Sequence, residues 1–315
     1  MMQRLDGSTF TPRGKRHPFR GVAQLRSLVE GLEEAEEATD PVTCGAVHFP
    51  DQKGLLFRHS REPITTVGKC FQVHQHADLL ARVLAALEAR NAEPKGTVFE
   101  SEHGHLLVDA CFMNDRYAVP IAFGATDGLL VHLGVTFQNS HGRPYVSLRA
   151  DCTATGGGRT YVMPRLLGRV TAPHKGTKAA ELTKVFPKIV ERSPDLARHL
   201  RLAADHALDV EDARLALRGL GQSAQAAQDL LTAGPRLSRH WGDRVTAWGL
   251  YDALVGAWAR KDVQPSTLHD GLLQAERLLQ VDKLPGIIQH GREVEARERV
   301  VHEIHAPLLE VAVEA

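Results

Sequence analysis

The sequence predicts an α+β fold, with an N-terminal antiparallel β-sheet and one packed helix followed by a mostly α-helical C-terminal region. Three observations carry this prediction. Up to about residue 155 the segments between turns are rich in β-branched and aromatic residues, and apolar and polar positions alternate with the two-residue period of strands. Inside that half, Ala77 to Arg90 places Leu79, Leu80, Val83, Leu84 and Leu87 on one face at helical spacing. From about Lys175 onward Ala, Leu, Arg and Glu dominate, with Gly and Pro as punctuation. The expected division is 1–41 as a basic arm and an acidic segment, 42–158 as the strand-rich domain, and 159–315 as a basic linker and helical region.

Taken in order, the first twenty residues, MMQRLDGSTFTPRGKRHPFR, lack the apolar centre of a secretory signal and read as a mobile basic arm. The segments VTCGAVHF and GLLFRHS flank the turn PDQKG, and ITTVGKCFQVH follows. After the helix come strands at TVFESE, HLLVDACF, YAVPIAF, LLVHLGVTFQ and PYVSLRADC, with turns at HG, ND, TDG and NSHGR. Alternation sets Leu129, Val131, Leu133, Val135 and Phe137 on a core face, opposite His132, Thr136 and Gln138. It likewise sets Leu148, Ala150 and Cys152 inward and Tyr145, Arg149 and Asp151 outward, so that one side of the sheet is polar and solvated. Helices are expected through KAAELTKVF, DLARHLRLAADHAL, VEDARLALRGL, SAQAAQDLL and RVTAWGLYDALVGAWARK. In the last of these, Trp248, Tyr251, Leu254, Val255 and Trp258 form a stripe suited to core or oligomer packing. The final segment, REVEARERVVHEIHAPLLEV, alternates charges as a solvated or oligomer-forming helix does.

The chain has 315 residues, 43% of them hydrophobic, enough for one large core or two ordinary domains. Its longest apolar runs fall far short of the roughly 20 residues of a membrane span, and a cytoplasmic location is expected. Cys44, Cys70, Cys111 and Cys152 have no paired spacing, which fits reduced and mostly buried thiols. The formal net charge is zero but unevenly spread. Between Gln138 and Arg201 twelve Lys or Arg face four Asp or Glu, a surplus of eight, whereas Glu30 to Asp40 holds six acids and no base. Such a basic centre points to a polyanionic partner.

Complete catalytic signatures are missing. HQH at 74–76 and HGH at 103–105 would put His74 with His76, and His103 with His105, on single strand faces, where Asp109 could complete a metal site. Gly156 to Gly158 reads as a hinge between sheet and helices or as an anion-cradling loop, without the Lys-Ser or Lys-Thr of a nucleotide-hydrolysing loop. Neither G-x-S-x-G nor a nucleophilic cysteine context occurs.

The segments REPITTVGKCFQVHQHADLLARVLAAL, FESEHGHLLVDACF, LGVTFQNSHGRPYVSLRADCTATGG and TAWGLYDALVGAWAR, in this order, resemble the phage- and plasmid-associated family catalogued as domain of unknown function 932. The likeness runs from Val42 to Lys261. It includes a strand entering a helix at Gly68 to His76, and a turn at Asn139, Ser140, His141 and Gly142 followed by Cys152; this chain lacks the Asp of that turn. The resemblance implies a role in nucleic-acid metabolism of mobile elements and, at the level of fold, a similarity to single-strand annealing proteins of the Rad, Erf and RecT kind. The expected function is then binding and annealing of single-stranded DNA in recombination, without enzymatic activity or cofactor, by a homo-oligomeric ring or filament. A groove of Arg143, Arg149, Arg159, Arg165, Arg169, Lys175 and Lys178 would contact phosphates, Tyr145 would stack on a base, and Asn139, Ser140 and His141 would donate to the backbone. The alternatives are a metal-dependent nucleic-acid enzyme using His74, His76, His103, His105 and Asp109, and a regulatory oligomer that binds no nucleic acid.

Overall fold

A computed structural model describes residues 11–44, 46–71, 73–123, 127–141, 148–172, 183–238, 240–241, 244–261, 263 and 265–313, with the backbone alone at 127, 148–149, 172, 265–266 and 301–313. The α+β class holds: the N-terminal part is mostly antiparallel sheet and the C-terminal part mostly helical. The chain divides into two compact units, 1–120 with 129–194, and 121–128 with 195–315. Residues 159–194, expected with the helical region, thus belong to the first unit.

In the first unit, β1 (Arg16–Arg20) arises in the segment expected to be a mobile arm, and α1 (Val22–Glu30) follows it. β1 pairs antiparallel with β7 (Pro94–Glu100), and Thr11 donates through its N–H to Gly31 O and through Oγ1 to Leu28 O. A small sheet contains β2 (Ala35–Glu37), β5 (Gln52–Phe57) and β6 (Pro63–Gly68) in that spatial order. Ala35, Leu55, Phe57, Ile64 and Val67 form its core, with Phe71 and Val73 packed against it. VTCGAVHF is a hairpin of its own, β3 (Thr43–Cys44) with β4 (Val47–His48), rather than one strand. The acidic run is neutralised locally: Arg13 pairs with Glu33 and Glu62, Arg58 with Glu34 and Glu36, Arg61 with Glu36, and Lys53 with Glu37.

The helix α2 (His76–Glu88) follows the expected pattern, and Leu79, Leu80, Val83, Leu84 and Leu87 are all buried. The large sheet then takes β8 (His105–Phe112), β9 (Ala118–Phe123), β10 (Asp127–Ser140), β11 (Leu148–Gly156), β12 (Arg159–Val162) and β13 (Arg169–Ala172). Its main path is β1-β7-β8-β10-β11-β12, with β9 beside β10 and β13 beside β11. Register aligns Val98, Val108, Phe137 and Ala150 in one row, and Ala110, Val135 and Cys152 in the next, on an apolar face. α2 and the start of α3 (Val185–Asp205) cover that face: His76 reaches Asn139, and Phe186 contacts both Phe112 and Phe137.

The second unit holds β14 (Ala207–Leu208), α4 (Val210–Gly219), α5 (Ala224–Leu237), β15 (Val245–Thr246), α6 (Ala247–Ala259), α7 (Pro265–Ala275) and α8 (Leu284–Val313). Three helices start on side-chain caps that satisfy a first-turn N–H: Asp209 accepts from Asp212, Ser223 from Ala226 and Thr246 from Gly249. Trp248, Tyr251, Leu254 and Val255 are buried, so the aromatic stripe of α6 is core, and Trp248 stacks on Phe123. The described charges of α8 are mostly exposed, as a solvated helix would have them, and three of them also pair with α4: Glu295 with Arg214, Glu298 with Arg218 and Arg292 with Asp212. No helix of the described residues is long and apolar enough to cross a membrane.

Candidate nucleic-acid interface

Of the expected groove, Arg143, Tyr145, Lys175 and Lys178 lie outside the described residues, as does the side chain of Arg149, whose backbone pairs with Gln138 and Thr171. Arg159 opens β12 in register with Gly156, and alternation puts it on the opposite face of the sheet from Asp151 and Arg169. One continuous groove through Arg159 and Arg169 is therefore not what the strands build. Arg165 is exposed in the turn between β12 and β13. Arg169, half-exposed, pairs with the fully buried Asp151. Lys188 of α3 donates from Nζ to the carbonyl of Arg169 at 3.1 Å, and Arg192 is exposed one helical turn further on. Arg165, Lys188 and Arg192 are thus the cations that the β12–β13 turn and α3 bring to this part of the first unit, whereas the Arg169 guanidinium turns to Asp151 on the face of the sheet opposite α3. Lys188 and Arg192 were missed in the sequence although Lys184, Lys188 and Arg192 follow each other at i, i+4 spacing.

The triple glycine is neither hinge nor anion loop. Gly156 ends β11 and Arg159 begins β12, so Gly157 and Gly158 are a two-residue hairpin turn with φ of 57° and 78°. Positive φ at both central positions is the type I′ geometry that matches strand twist, and glycine adopts it without a Cβ clash.

Asn139, Ser140 and His141, expected in a turn facing a ligand, are buried. β10 runs through Ser140, and alternation carries Asn139 onto the apolar face beside α2. There Asn139 Nδ2 donates to the His74 carbonyl at 3.0 Å and lies 2.8 Å from His76 Nδ1. The His141 ring stacks on His76 with centroids 4.0 Å apart, and the backbone N–H of His141 donates to Gly104 O. His76 Nε2 is 3.3 Å from Glu100 Oε1. Burial pushes the Glu100 carboxyl up to about 8, with Arg13 pulling it down and Glu33 raising it further. At neutral pH Glu100 is thus mainly protonated and can donate toward His76. Asn139 and His141 thus anchor the start of α2 to the sheet.

The polar face is not the solvated surface expected. Thr136, Gln138, Asp151 and Thr153 are buried, and Thr136 Oγ1 donates to Asp109 Oδ1 at 2.6 Å. The histidine pairs do not share strand faces: His74 precedes α2 and His76 begins it, while His103 lies in a turn and His105 begins β8. His76 meets Glu100 on the apolar face, and Asp109 is on the opposite one. Among the described residues no group of three His, Cys, Asp or Glu is placed to hold a metal ion. All four cysteines are free; contrary to expectation Cys44 and Cys70 are exposed, Cys111 is half-buried and only Cys152 is fully buried.

No family model, curated protein or solved structure matches the chain.

Proposed function

We propose that the protein binds single-stranded DNA through its phosphates and promotes annealing. The observation that carries this reading is the set of cations Arg165, Lys188 and Arg192, from the β12–β13 turn and α3, within a segment whose basic residues exceed its acids by eight. Lys188 spends its hydrogen bond on a neutral carbonyl and keeps its full charge for a phosphate. Arg169 is paired with Asp151, and the phosphate contacts are assigned to Arg165, Lys188 and Arg192. Phosphate contact without a base pocket leaves bases accessible for pairing, and needs no cofactor. The same reading, together with the resemblance drawn from the sequence, puts the protein in the cytoplasm as a homo-oligomer serving a mobile element.

The test is fluorescence anisotropy of a labelled single strand and its duplex, at low and moderate salt, with and without chelator. Binding should favour the single strand, weaken with salt and ignore the chelator. The triple variant Arg165→Ala, Lys188→Ala, Arg192→Ala should flatten the slope of log affinity against log salt by about 2, because each single-strand phosphate contact contributes about 0.7. Unchanged affinity and slope in that variant would sink the interface, and binding or cleavage lost on chelation would replace the reading with the metal-dependent one.

A further inference from the structure

β2 is an edge strand, and among the described residues its outer edge is only partly used. Arg58 N–H donates to Glu34 O and Ala38 N–H to Gly54 O, so the even-numbered positions bond to β5. Ala35 and Glu37 therefore turn their N–H and C=O away from β5. At Ala35 both groups are taken by the side chain of Gln75, whose Oε1 accepts from the N–H at 2.9 Å and whose Nε2 donates to the carbonyl at 2.7 Å. A primary amide in that position reproduces what the peptide group of an adjoining strand would offer. One step along the same edge the amide ends, and Glu37 lines a shallow, largely open depression of about 620 Å³. Phe71 and Val73 supply its apolar wall, and Lys53, Lys69, Cys70 and His74 line it together with Glu36, which is paired with Arg58. Lys53 is paired with Glu37, whereas Lys69 forms no ion pair among the described residues.

We infer that this edge is a docking site for an extended acidic peptide, which adds as a further strand at Glu37 and sets a carboxylate against Lys69. Main-chain pairing at an open edge provides affinity and the alternating side chains provide choice, apolar ones toward Phe71 and Val73 and acidic ones toward Lys69. The site is distinct from the cations Arg165, Lys188 and Arg192 and does not depend on nucleic-acid binding.

The probe is an end-blocked hexapeptide of alternating valine and aspartate, compared with its N-methylated form, whose main chain cannot donate, and with an alternating valine–lysine peptide. Cys70 lines the depression and Cys44 is exposed elsewhere, which allows iodoacetamide alkylation of the unmodified protein to be read by mass spectrometry with an internal reference. The aspartate peptide should slow alkylation of Cys70 and leave Cys44 unaffected. N-methylation should weaken binding about tenfold, the effect of one lost hydrogen bond, as should Glu37→Pro, a substitution an outward-facing edge position tolerates. Lys69→Glu should reverse the preference toward the lysine peptide, and both variants should melt like the parent. Protection by none of the peptides, equal protection of both cysteines, equal binding of the N-methylated form, or protection by oligothymidylate instead of peptide would each overturn the inference.

Discussion

Glu100 shows how one buried side chain sets a property of the whole first unit. Its folded value of about 8 lies above the ordinary 4.5, so the folded state holds the proton more tightly than the unfolded one. Stability from this source is complete below about pH 4.5 and is lost as pH rises toward 8, by ~1.4 kcal/mol per unit within the window. Thermal melts from pH 4 to 9 should show that decline in the parent and a flatter profile in Glu100→Gln, with the variant the more stable of the two at pH 9. Identical profiles would mean that Glu100 is ionised in the fold. Hydrophobic surroundings and Asn139, His76 and His141 create this environment, and they come from α2, β7 and the end of β10, more than sixty residues apart at the extremes. No local pattern in NSHGR announces burial, because its polar composition is that of a turn. Arg169 was legible as a cation, but its pairing with Asp151 depends on β13 lying beside β11.

At the scale of elements, strong periodicity was the reliable signal. The helical face of Leu79 to Leu87 and the alternation of Leu129 to Phe137 were both realised, since each is a repeated choice that one backbone geometry satisfies. Short elements escaped: β1, β12 and β13 carry four or five residues each, and they exist because a neighbouring strand offers an unpaired edge. The Gly157–Gly158 turn makes a testable distinction. Gly157→Asn keeps a residue that tolerates positive φ and should leave both stability and DNA binding intact, whereas Gly158→Val should cost about 1 to 2 kcal/mol in urea unfolding. A loss of binding in a stable Gly157→Asn protein would restore the glycines as phosphate ligands. In the helical unit, α4 and α8 touch backbone to backbone, a Cβ on Gly291 coming within 2.0 Å of the Leu215 carbonyl and one on Gly219 within 2.1 Å of that of Ile287. Gly291→Ala should therefore destabilise by about 2 kcal/mol, and a melting temperature unchanged by it would show that the two helices can part without cost.

At the scale of the molecule, two units with separate cores need not unfold in a single step. All three tryptophans, Trp241, Trp248 and Trp258, lie in the second unit, so their fluorescence follows that unit alone. In urea at pH 9, Glu100→Gln should shift the far-ultraviolet transition of the sheet and leave the tryptophan midpoint in place; equal shifts in both would show one cooperative structure. The sequence by itself determined the α+β class, the long strands and helices, the aromatic core of α6 and the basic surplus after Gln138, because periodicity, composition and charge are local sums that folding does not alter. Only the tertiary structure decided that the polar face is buried, that the histidine pairs part company, that three charges of α8 pair with α4, and that Lys188 reaches the carbonyl of Arg169. Those outcomes depend on which residues distant in the chain become neighbours, and a side chain's burial, ionisation and partners are fixed by its neighbours in space.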